Sequence, residues 1–224
     1  MKLFTITYAY GQQCTFPEYR NRATDKLHRF EYNPVLDIVA NHLGDVRADE
    51  FVGIFSHKFE LKTGHSRSGV THWLGRHELE PLNGHTFDLI NFSPNMGNPI
   101  NRHQCFMDWS AYGHGEVLRD LVKACCAHTG MEYHNNPQHV VYANFFAARK
   151  SVYLHYVDAV VKPCLALLEG PLWHLANQCS RYKGLPPEEL KRLTGLDYYS
   201  YVPFVMERLT MQYVVNHNIK ILSL

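Results

Sequence analysis

Glu207 is the side chain whose type and position most suggest catalysis. It lies one turn into the last predicted helix, just after the aromatic run Tyr198-Tyr199-Ser200-Tyr201. A carboxylate at the start of a helix, in a pocket lined by aromatic rings, can act as a general base toward a hydroxyl nucleophile. Position alone favours a simpler explanation, because a glutamate near a helix N-terminus stabilises the helix dipole by about a few tenths of a kcal/mol.

A second group of candidate side chains follows the predicted strands. Ligands of open α/β sheets bind beyond the carboxyl ends of the strands, and this rule selects four segments: residues 8–11, 56–58, 91–98 and 147–150. Their aromatic rings, imidazole, cations and amides suit a nucleotide with a diphosphate, because rings stack on tyrosine while cations and backbone amides bind phosphates. Ordinary turn residues often occupy the same positions. The candidates for donor binding are Tyr8, Gly11, Ser56, His57, Lys58, Asn91 and Arg149, with Arg208 beside Glu207.

Fifteen histidines call for a test of metal binding. Five of them fall within one short stretch, but their spacings match neither HExxH nor a zinc-finger pattern: His57, His65, His72, His77 and His85. We expect loop histidines that bind substrate phosphates or face water, with a histidine-rich metal hydrolase as a minor alternative. The absence of a Walker-type phosphate loop, a GxGxxG and a GxSxG removes the main sequence support for kinase-like, Rossmann dehydrogenase and serine hydrolase functions.

Composition excludes several other classes of protein. The 224 residues include 22 Lys and Arg against 21 Asp and Glu, so the net charge gives no support for broad electrostatic binding to nucleic acid. No apolar run approaches the roughly 20 residues that a membrane helix needs, and the opening segment is strand-like rather than a signal peptide. Six cysteines without a CxxC pair predict reduced, mostly buried thiols in a cytoplasmic protein.

The elements that would position the candidate side chains alternate between strands and helices. Strands are predicted at residues 2–8, 51–55, 87–92, 140–147 and 219–222. Helices are predicted at 35–43, 116–128, 151–169 (bent near Pro163), 186–194 and 203–217, and a long polar excursion at 60–83. This alternation predicts a single α/β domain over residues 1–224, with a mostly parallel sheet flanked by helices.

Three motifs resemble those of capsular-polysaccharide-type glycosyltransferases. The run from Tyr142 to Lys150 (YANFFAARK), followed by Tyr153, resembles that family's Y-x-N-x-F-x-x-(R/K)-K … Y stretch. The segment 203–209 (PFVMERL) is similar to its G/P-F-x-x-E-R-L helix, and the segment 51–59 (FVGIFSHKF) is similar to its V-G-l-x-H-Y-R-R-y-F strand. The order and spacing of the three motifs agree with the family.

The resemblance implies a GT-A fold, in which a Rossmann-like sheet carries a nucleotide-sugar site and an acceptor site at one edge. Carried over by residue, Asn144 would lie near a sugar, and His57 with Lys58 near the diphosphate. Glu207 would be the base or a ligand of a sugar hydroxyl. No clean Asp-x-Asp metal motif appears, so the Mn²⁺ or Mg²⁺ that such a transferase could use stays an open question. No organic cofactor beyond the donor is implied.

The predicted function is transfer of a sugar from a nucleotide-sugar donor to a glycan or other hydroxyl acceptor. Without a metal, Lys58, Arg149, Arg208 and the loop histidines would have to balance the leaving diphosphate. Imidazole titration would then make activity fall above about pH 6.5.

Two alternatives to a glycan-directed transferase stay open. In the first, the acceptor is a hydroxylated base in DNA, and a local basic patch binds the DNA backbone. The patch consists of Arg20, Arg22, Lys26 and Arg29. In the second, the chain is a non-catalytic α/β module derived from a transferase, which binds a nucleotide or a partner protein. The missing Asp-x-Asp motif is the main support for that module.

Overall fold

The computed structural model describes residues 1–79, 86–93, 105–135, 140–141 and 144–224. Some residues named above lie outside these ranges. They are His85, residues 94–98 of the predicted strand-end segment, and Tyr142 with Ala143 of the motif that resembles the transferase family.

Six strands form one sheet within the described residues. They are β1 (Lys2–Thr7), β2 (Glu18–Arg20), β3 (Phe51–Ser56), β4 (Leu89–Asn91), β5 (Phe146–Arg149) and β6 (Ile221–Ser223). Their order across the sheet is β2-β1-β3-β5-β4-β6. Strand β1 pairs in parallel with β2 and β3, and β4 with β6, whereas β5 runs antiparallel to both β3 and β4. The chain is α/β as predicted, but the sheet is mixed, and the prediction of a mostly parallel sheet is wrong.

Strand β5 runs in the opposite direction because the chain enters it from the edge at which β3 and β4 end. In the register of the pair, Gly53 faces Ala147 and Phe51 faces Arg149. A parallel strand would need a crossover that returns the chain to the other edge of the sheet first. The strand also begins later than predicted, at Phe146 rather than at residue 140.

Strand β3, predicted at residues 51–55 as a continuously apolar run, is covered on both faces. All six of its residues are buried. Val52 and Ile54 belong to one hydrophobic cluster, and Phe51 and Phe55 to the other, as the alternation of side chains along a strand requires. Gly53 leaves room for a large neighbour, because a Cβ there would come within 2.5 Å of the Phe55 ring.

Helices cover the two faces of the sheet. The helices of the described residues are α1 (Tyr32–Asn41), α2 (Phe59–Thr63), α3 (Arg67–Leu79), α4 (Phe106–His114), α5 (Val117–His128), α6 (Lys150–Tyr156), α7 (Lys162–Glu169), α8 (Trp173–Ala176), α9 (Pro187–Thr194) and α10 (Val202–Asn216). A 3₁₀ turn, Leu27–Arg29, precedes α1. The larger cluster lies among α1, α4 to α7 and α10, and the smaller one contains side chains of α2 and α3.

Helices α2 and α3 occupy the segment predicted as a polar excursion. Phe59, Val70 and Leu74 are fully buried in the smaller cluster. The last two are four residues apart and therefore share a helix face, which His77 extends by one more turn. The His77 ring stacks on Trp73 at a centroid distance of 5.6 Å. The buried stripe is narrow and most of the other residues of α3 are polar or glycine, so the sequence shows little helical periodicity.

Residues 150–169 form one continuous helix, in which a π-helical turn (Val157–Val161) joins α6 to α7. The change of winding comes just before Pro163, where the sequence predicted a bend. Within the described residues, this is the one helix that is long and apolar enough, by length and composition, to cross a membrane. Its buried residues, such as Tyr153 and Val160, belong to the larger cluster, as in a core helix. The absence of a membrane span stays a prediction.

Candidate functional site

A cleft of about 270 Å³ opens at the edge of the sheet where β1 and β3 end. The segments that follow β1 and β3 and that precede β5 contribute Tyr8, Gln12, Ser56, His57, Lys58 and Phe145. The helices and their starts contribute Phe30, Glu31, Tyr32, Lys62, Glu189, Leu190, Leu193, Pro203, Phe204 and Glu207, among others. The volume is near the lower end of the range for small-molecule sites.

Glu207 lies in the wall of this cleft, one turn into α10. Its side chain is 20% exposed, and its Oε2 accepts a hydrogen bond from Arg208 Nη1 at 2.5 Å. Arg208 is fully buried, and its guanidinium also contacts the Phe204 carbonyl (3.4 Å) and His114 Nε2 (3.2 Å). Arg208 therefore lies behind the cleft wall and holds Glu207 in place, whereas the sequence prediction gave it a direct role in donor binding.

His114 completes the group behind the wall. Because the guanidinium of Arg208 can only donate, His114 Nε2 must accept, which fixes a neutral imidazole. Burial and then the charge of Arg208 lower the pKa of His114 to about 3. Burial raises the pKa of Glu207, and the charges of Arg208 and Lys62 partly oppose that rise. The carboxylate of Glu207 and the guanidinium thus form an ion pair with a neutral imidazole beside it.

Glu31 brings a second carboxylate into the cleft. It stands immediately before α1, and its Oε2 accepts a hydrogen bond from Asn144 Nδ2 at 3.0 Å. Ser56 lines the same cleft. Burial and then the charge of Glu207 raise the pKa of Glu31 to about 7. Near neutral pH the carboxyl group of Glu31 is therefore able both to accept and to release a proton.

The positive charges of the cleft come from lysines and not from imidazole. Lys58 and Lys62 both line it. His57 also lines it, with its ring centroid 6.1 Å from that of Tyr8. Burial, and then Lys58 and Lys62, lower the pKa of His57 to about 4. The expectation that this histidine carries charge near neutral pH is wrong. Titration of His57 therefore gives no reason to expect that activity falls above pH 6.5.

Aromatic side chains form one wall of the cleft. Phe30 and Tyr199 are stacked with their centroids 5.7 Å apart, and Tyr182 meets Tyr199 edge-on at 5.1 Å. Leu190 and Leu193 of α9 extend this apolar surface. Flat rings beside a leucine surface can hold a nucleobase or the apolar face of a sugar.

Two predicted donor-binding residues lie next to the cleft without forming its wall. Asn144 reaches the site through its hydrogen bond to Glu31. It lies at this edge because β5, which follows it, runs antiparallel to β3. Gly11 belongs to the turn after β1 and adopts a φ of 77°, a conformation that glycine tolerates best. In the same turn, Gln12 Oε1 accepts a hydrogen bond from the Tyr8 backbone at 2.6 Å.

Asn91 and Arg149, also predicted to bind the donor, have structural roles instead. Asn91 Nδ2 donates to the Val140 carbonyl (3.0 Å) and to Ser223 Oγ (3.3 Å). Arg149 ends β5 at the opposite edge of the sheet, where it donates to the Phe87 carbonyl at 2.9 Å. The antiparallel direction of β5 is the reason, since the carboxyl end of this strand lies away from the carboxyl ends of its neighbours.

The described residues contain no group of three or more His, Cys, Asp or Glu side chains that could hold a metal ion. The two carboxylates of the cleft are bonded to Arg208 and to Asn144. The side chains of the cleft do not provide enough ligands for a metal ion held by the protein alone. The involvement of Mn²⁺ or Mg²⁺ stays a prediction.

The chain was compared with protein-family models, with curated proteins and with solved structures. Nothing matched. The chemistry of the cleft is therefore the basis on which a function can be proposed, and the resemblance of the three motifs stays a prediction.

Sequence reasoning missed Glu31 and Lys62. Glu31 carries the same signal that identified Glu207, because it is a carboxylate at the start of a helix, between two aromatic residues. The signal was not recognised because the helix was predicted at residues 35–43, after Asn33-Pro34, whereas α1 begins at Tyr32. Lys62 was missed because it lies in the segment predicted as a polar excursion. This part of the segment is helix α2, from which Lys62 lines the cleft.

Proposed function

We propose that this protein is a GT-A-like glycosyltransferase that moves a sugar from a nucleotide-sugar donor to a hydroxyl acceptor. One observation carries the proposal: the ends of β1 and β3, the segment before β5 and the start of α10 surround one cleft, and the carboxylates of Glu31 and Glu207 line it, together with Glu189 of α9. Glycosyl transfer needs a proton acceptor for the attacking hydroxyl and positive charge near the leaving diphosphate.

The charges of the cleft suit these two requirements. Glu31 and Glu207 are available to bind hydroxyl groups and to accept a proton, and Lys58 and Lys62 can balance a leaving diphosphate. The wall of Phe30, Tyr182 and Tyr199 provides surfaces for a base or a sugar ring. The same donor site would serve whether or not a metal accompanies the diphosphate.

A glycan or other small hydroxyl compound is a better acceptor than DNA. Most of the residues of the basic patch that was expected to bind DNA form ion pairs within the protein. Lys26 and Arg29 both pair with Glu169, and Arg20 pairs with Glu18 at 2.9 Å. Such internal pairing leaves less positive charge for the phosphate contacts on which DNA affinity depends.

A thermal-shift screen tests the donor site. Nucleoside diphosphates and nucleotide sugars, each with and without Mn²⁺, should include members that raise the melting temperature, because a ligand that binds only the folded state stabilises it by mass action. A requirement for Mn²⁺ would show as a shift seen only in its presence. The absence of a shift with every compound would contradict the proposal.

Replacing Glu207 separates a transferase from a binding module. Glu207→Gln should keep the thermal shift with nucleoside diphosphates and lose turnover by 100-fold or more, about the contribution of a positioned catalytic carboxylate. Release of nucleoside diphosphate from the nucleotide sugars of the screen measures turnover. Glu188→Gln, an exposed glutamate of α9 outside the cleft wall, is the matched control and should behave as wild type. Binding without any turnover in the wild-type protein would favour the non-catalytic module.

A further inference from the structure

The two carboxylates of the cleft differ in their hydrogen-bond partners. Glu207 is bonded to a cation, since Arg208 donates to its Oε2 at 2.5 Å. Glu31 is bonded to a neutral donor, the amide of Asn144, at 3.0 Å. This difference in chemistry gives the two side chains different capacities to accept a proton.

Protonation of Glu207 would be costly. Arg208 is fully buried, and among the described residues its guanidinium also contacts the Ser110 hydroxyl, the Phe204 carbonyl and His114. A neutral Glu207 would remove the negative charge of this pair, and breaking a buried ion pair from one side is strongly destabilising. Glu207 is therefore suited to remain an anion throughout a reaction.

Protonation of Glu31 breaks no ion pair of this kind. The charged and titratable groups around it come from several elements: Glu207 of α10, Lys62 of α2, His57 and Lys58 after β3, Tyr8 after β1, Tyr32 of α1 and Tyr153 of α6. The negative charge of Glu207 favours a proton on Glu31, and the charge of Lys62 opposes it. The amide of Asn144 orients the carboxylate.

We propose that Glu31 is the proton acceptor of the reaction, and that Glu207 is a permanent anion that binds a sugar hydroxyl. This division of roles rests on the proposed transferase function. The acceptor's O–H bond breaks and its proton moves to the carboxylate of Glu31, while the acceptor oxygen forms a bond to the anomeric carbon. The bond between that carbon and the diphosphate oxygen breaks, and its electron pair leaves with the diphosphate, whose charge Lys58 and Lys62 balance.

The titration of Glu31 supports this assignment. A general base works best when its pKa lies near the working pH. Burial and then the charge of Glu207 raise the pKa of Glu31 to about 7, so a carboxyl group becomes an effective base near neutrality. The location of Glu31, in the wall of the cleft beside Asn144, would give it access to an acceptor hydroxyl.

A direct titration tests the pair without any assumption about activity. The side-chain carboxyl carbons of ¹³C-labelled glutamates are followed by NMR from pH 3 to pH 9, and Glu31→Gln assigns the signal. We expect the Glu31 signal to titrate near pH 7 in the wild type and at a lower pH in Glu207→Gln, because burial still raises the pKa but the neighbouring charge is gone. Glu188→Gln should leave it unchanged. A Glu31 signal that titrates near pH 4.5 in the wild type would overturn the proposal.

The kinetic test assigns the roles. With UDP-glucose, UDP-galactose and GDP-mannose as donors, kcat/KM in the wild type should fall below pH 7, as Glu31 becomes protonated. Glu31→Gln should lose at least 100-fold in kcat and lose this acidic limb. Glu207→Gln should also lose activity. Its kcat/KM should still fall at acidic pH, but at a lower pH than in the wild type, because the charge of Glu207 no longer raises the pKa of Glu31.

The outcomes separate the two proposals. Full activity with an unchanged pH profile in Glu31→Gln, together with inactivity of Glu207→Gln, would make Glu207 the base and overturn this inference alone. No turnover by the wild type with any of the three donors would count against the transferase function itself. It would remove the proton-acceptor role with it, whatever the NMR titration shows.

Discussion

Glu31 affects the stability of the fold as well as the chemistry of the cleft. Its pKa is raised from about 4.5 to about 7 in the folded protein, so the folded state binds this proton more tightly than the unfolded chain does. The free energy of unfolding must therefore decrease as the pH rises from about 4.5 to 7. Glu31→Gln removes this titration and should stabilise the protein at pH 8 by on the order of 3 kcal/mol relative to its effect at pH 4.

Urea unfolding at pH 4 and at pH 8 measures this effect. Glu188→Gln is again the control, because this side chain is exposed and lies outside the cleft wall. A difference between Glu31→Gln and wild type that is the same at both pH values would show that Glu31 has an ordinary pKa.

The roles of individual side chains could be predicted only where they depend on local sequence. Glu207 was found because a carboxylate, a helix start and an aromatic run are neighbours in the chain. The neutral state of His57 could not be found in this way, because it depends on Lys62 of α2 and on burial. Glu31 depends on still more distant partners, Asn144 and Glu207.

Among the secondary-structure elements, α9 depends on a single glycine at its end. Gly195 ends this helix with a φ of 83°, as the sequence predicted for the stop position. A Cβ at this position would also come within 2.5 Å of Leu27 Cδ1. Gly195→Ala should therefore lower the free energy of unfolding by about 1–2 kcal/mol, the cost of the left-handed conformation for an L-residue.

A second glycine provides the comparison. Gly113 lies in α4, and a Cβ there would meet nothing within 4 Å. Gly113→Ala should leave stability unchanged or raise it by up to about 1 kcal/mol, since alanine has the higher helix propensity. Urea denaturation of both variants makes the comparison, and equal effects at the two sites would contradict a special role for Gly195.

The elements that the sequence predicted well are those with a clear hydrophobic pattern. Strand β3 lies close to its predicted position because it is a short, continuously apolar run, and helix α5 because its buried residues recur at the spacing of a helix. Helix α3 was missed because its buried stripe of Val70, Leu74 and His77 is narrow and most of its other residues are polar or glycine. The direction of β5 could not be predicted, because it depends on where the preceding chain returns to the sheet.

At the scale of the whole molecule, the cleft is assembled from residues far apart in the sequence. Glu31 and Asn144 are separated by 113 positions, and β4 pairs with β6 over a still longer interval. Local patterns identified the α/β class and most of the strands. They could not show that β5 runs antiparallel to its neighbours, which places Arg149 at the opposite edge of the sheet, nor that Asn91 is bonded to Val140 and Ser223.

The central position of β5 has a consequence for the order of folding. Because β5 lies between β3 and β4, these two strands cannot join one sheet until β5 has entered, and Asn144 meets Glu31 only then. Contacts over such sequence separations form slowly and late, so the repulsion between Glu31 and Glu207 should be absent from the folding transition state. The stabilisation by Glu31→Gln at pH 8 should then appear as slower unfolding with an unchanged refolding rate, which stopped-flow measurements can determine. A faster refolding rate would mean instead that the two carboxylates come together before the barrier, while the sheet is still open.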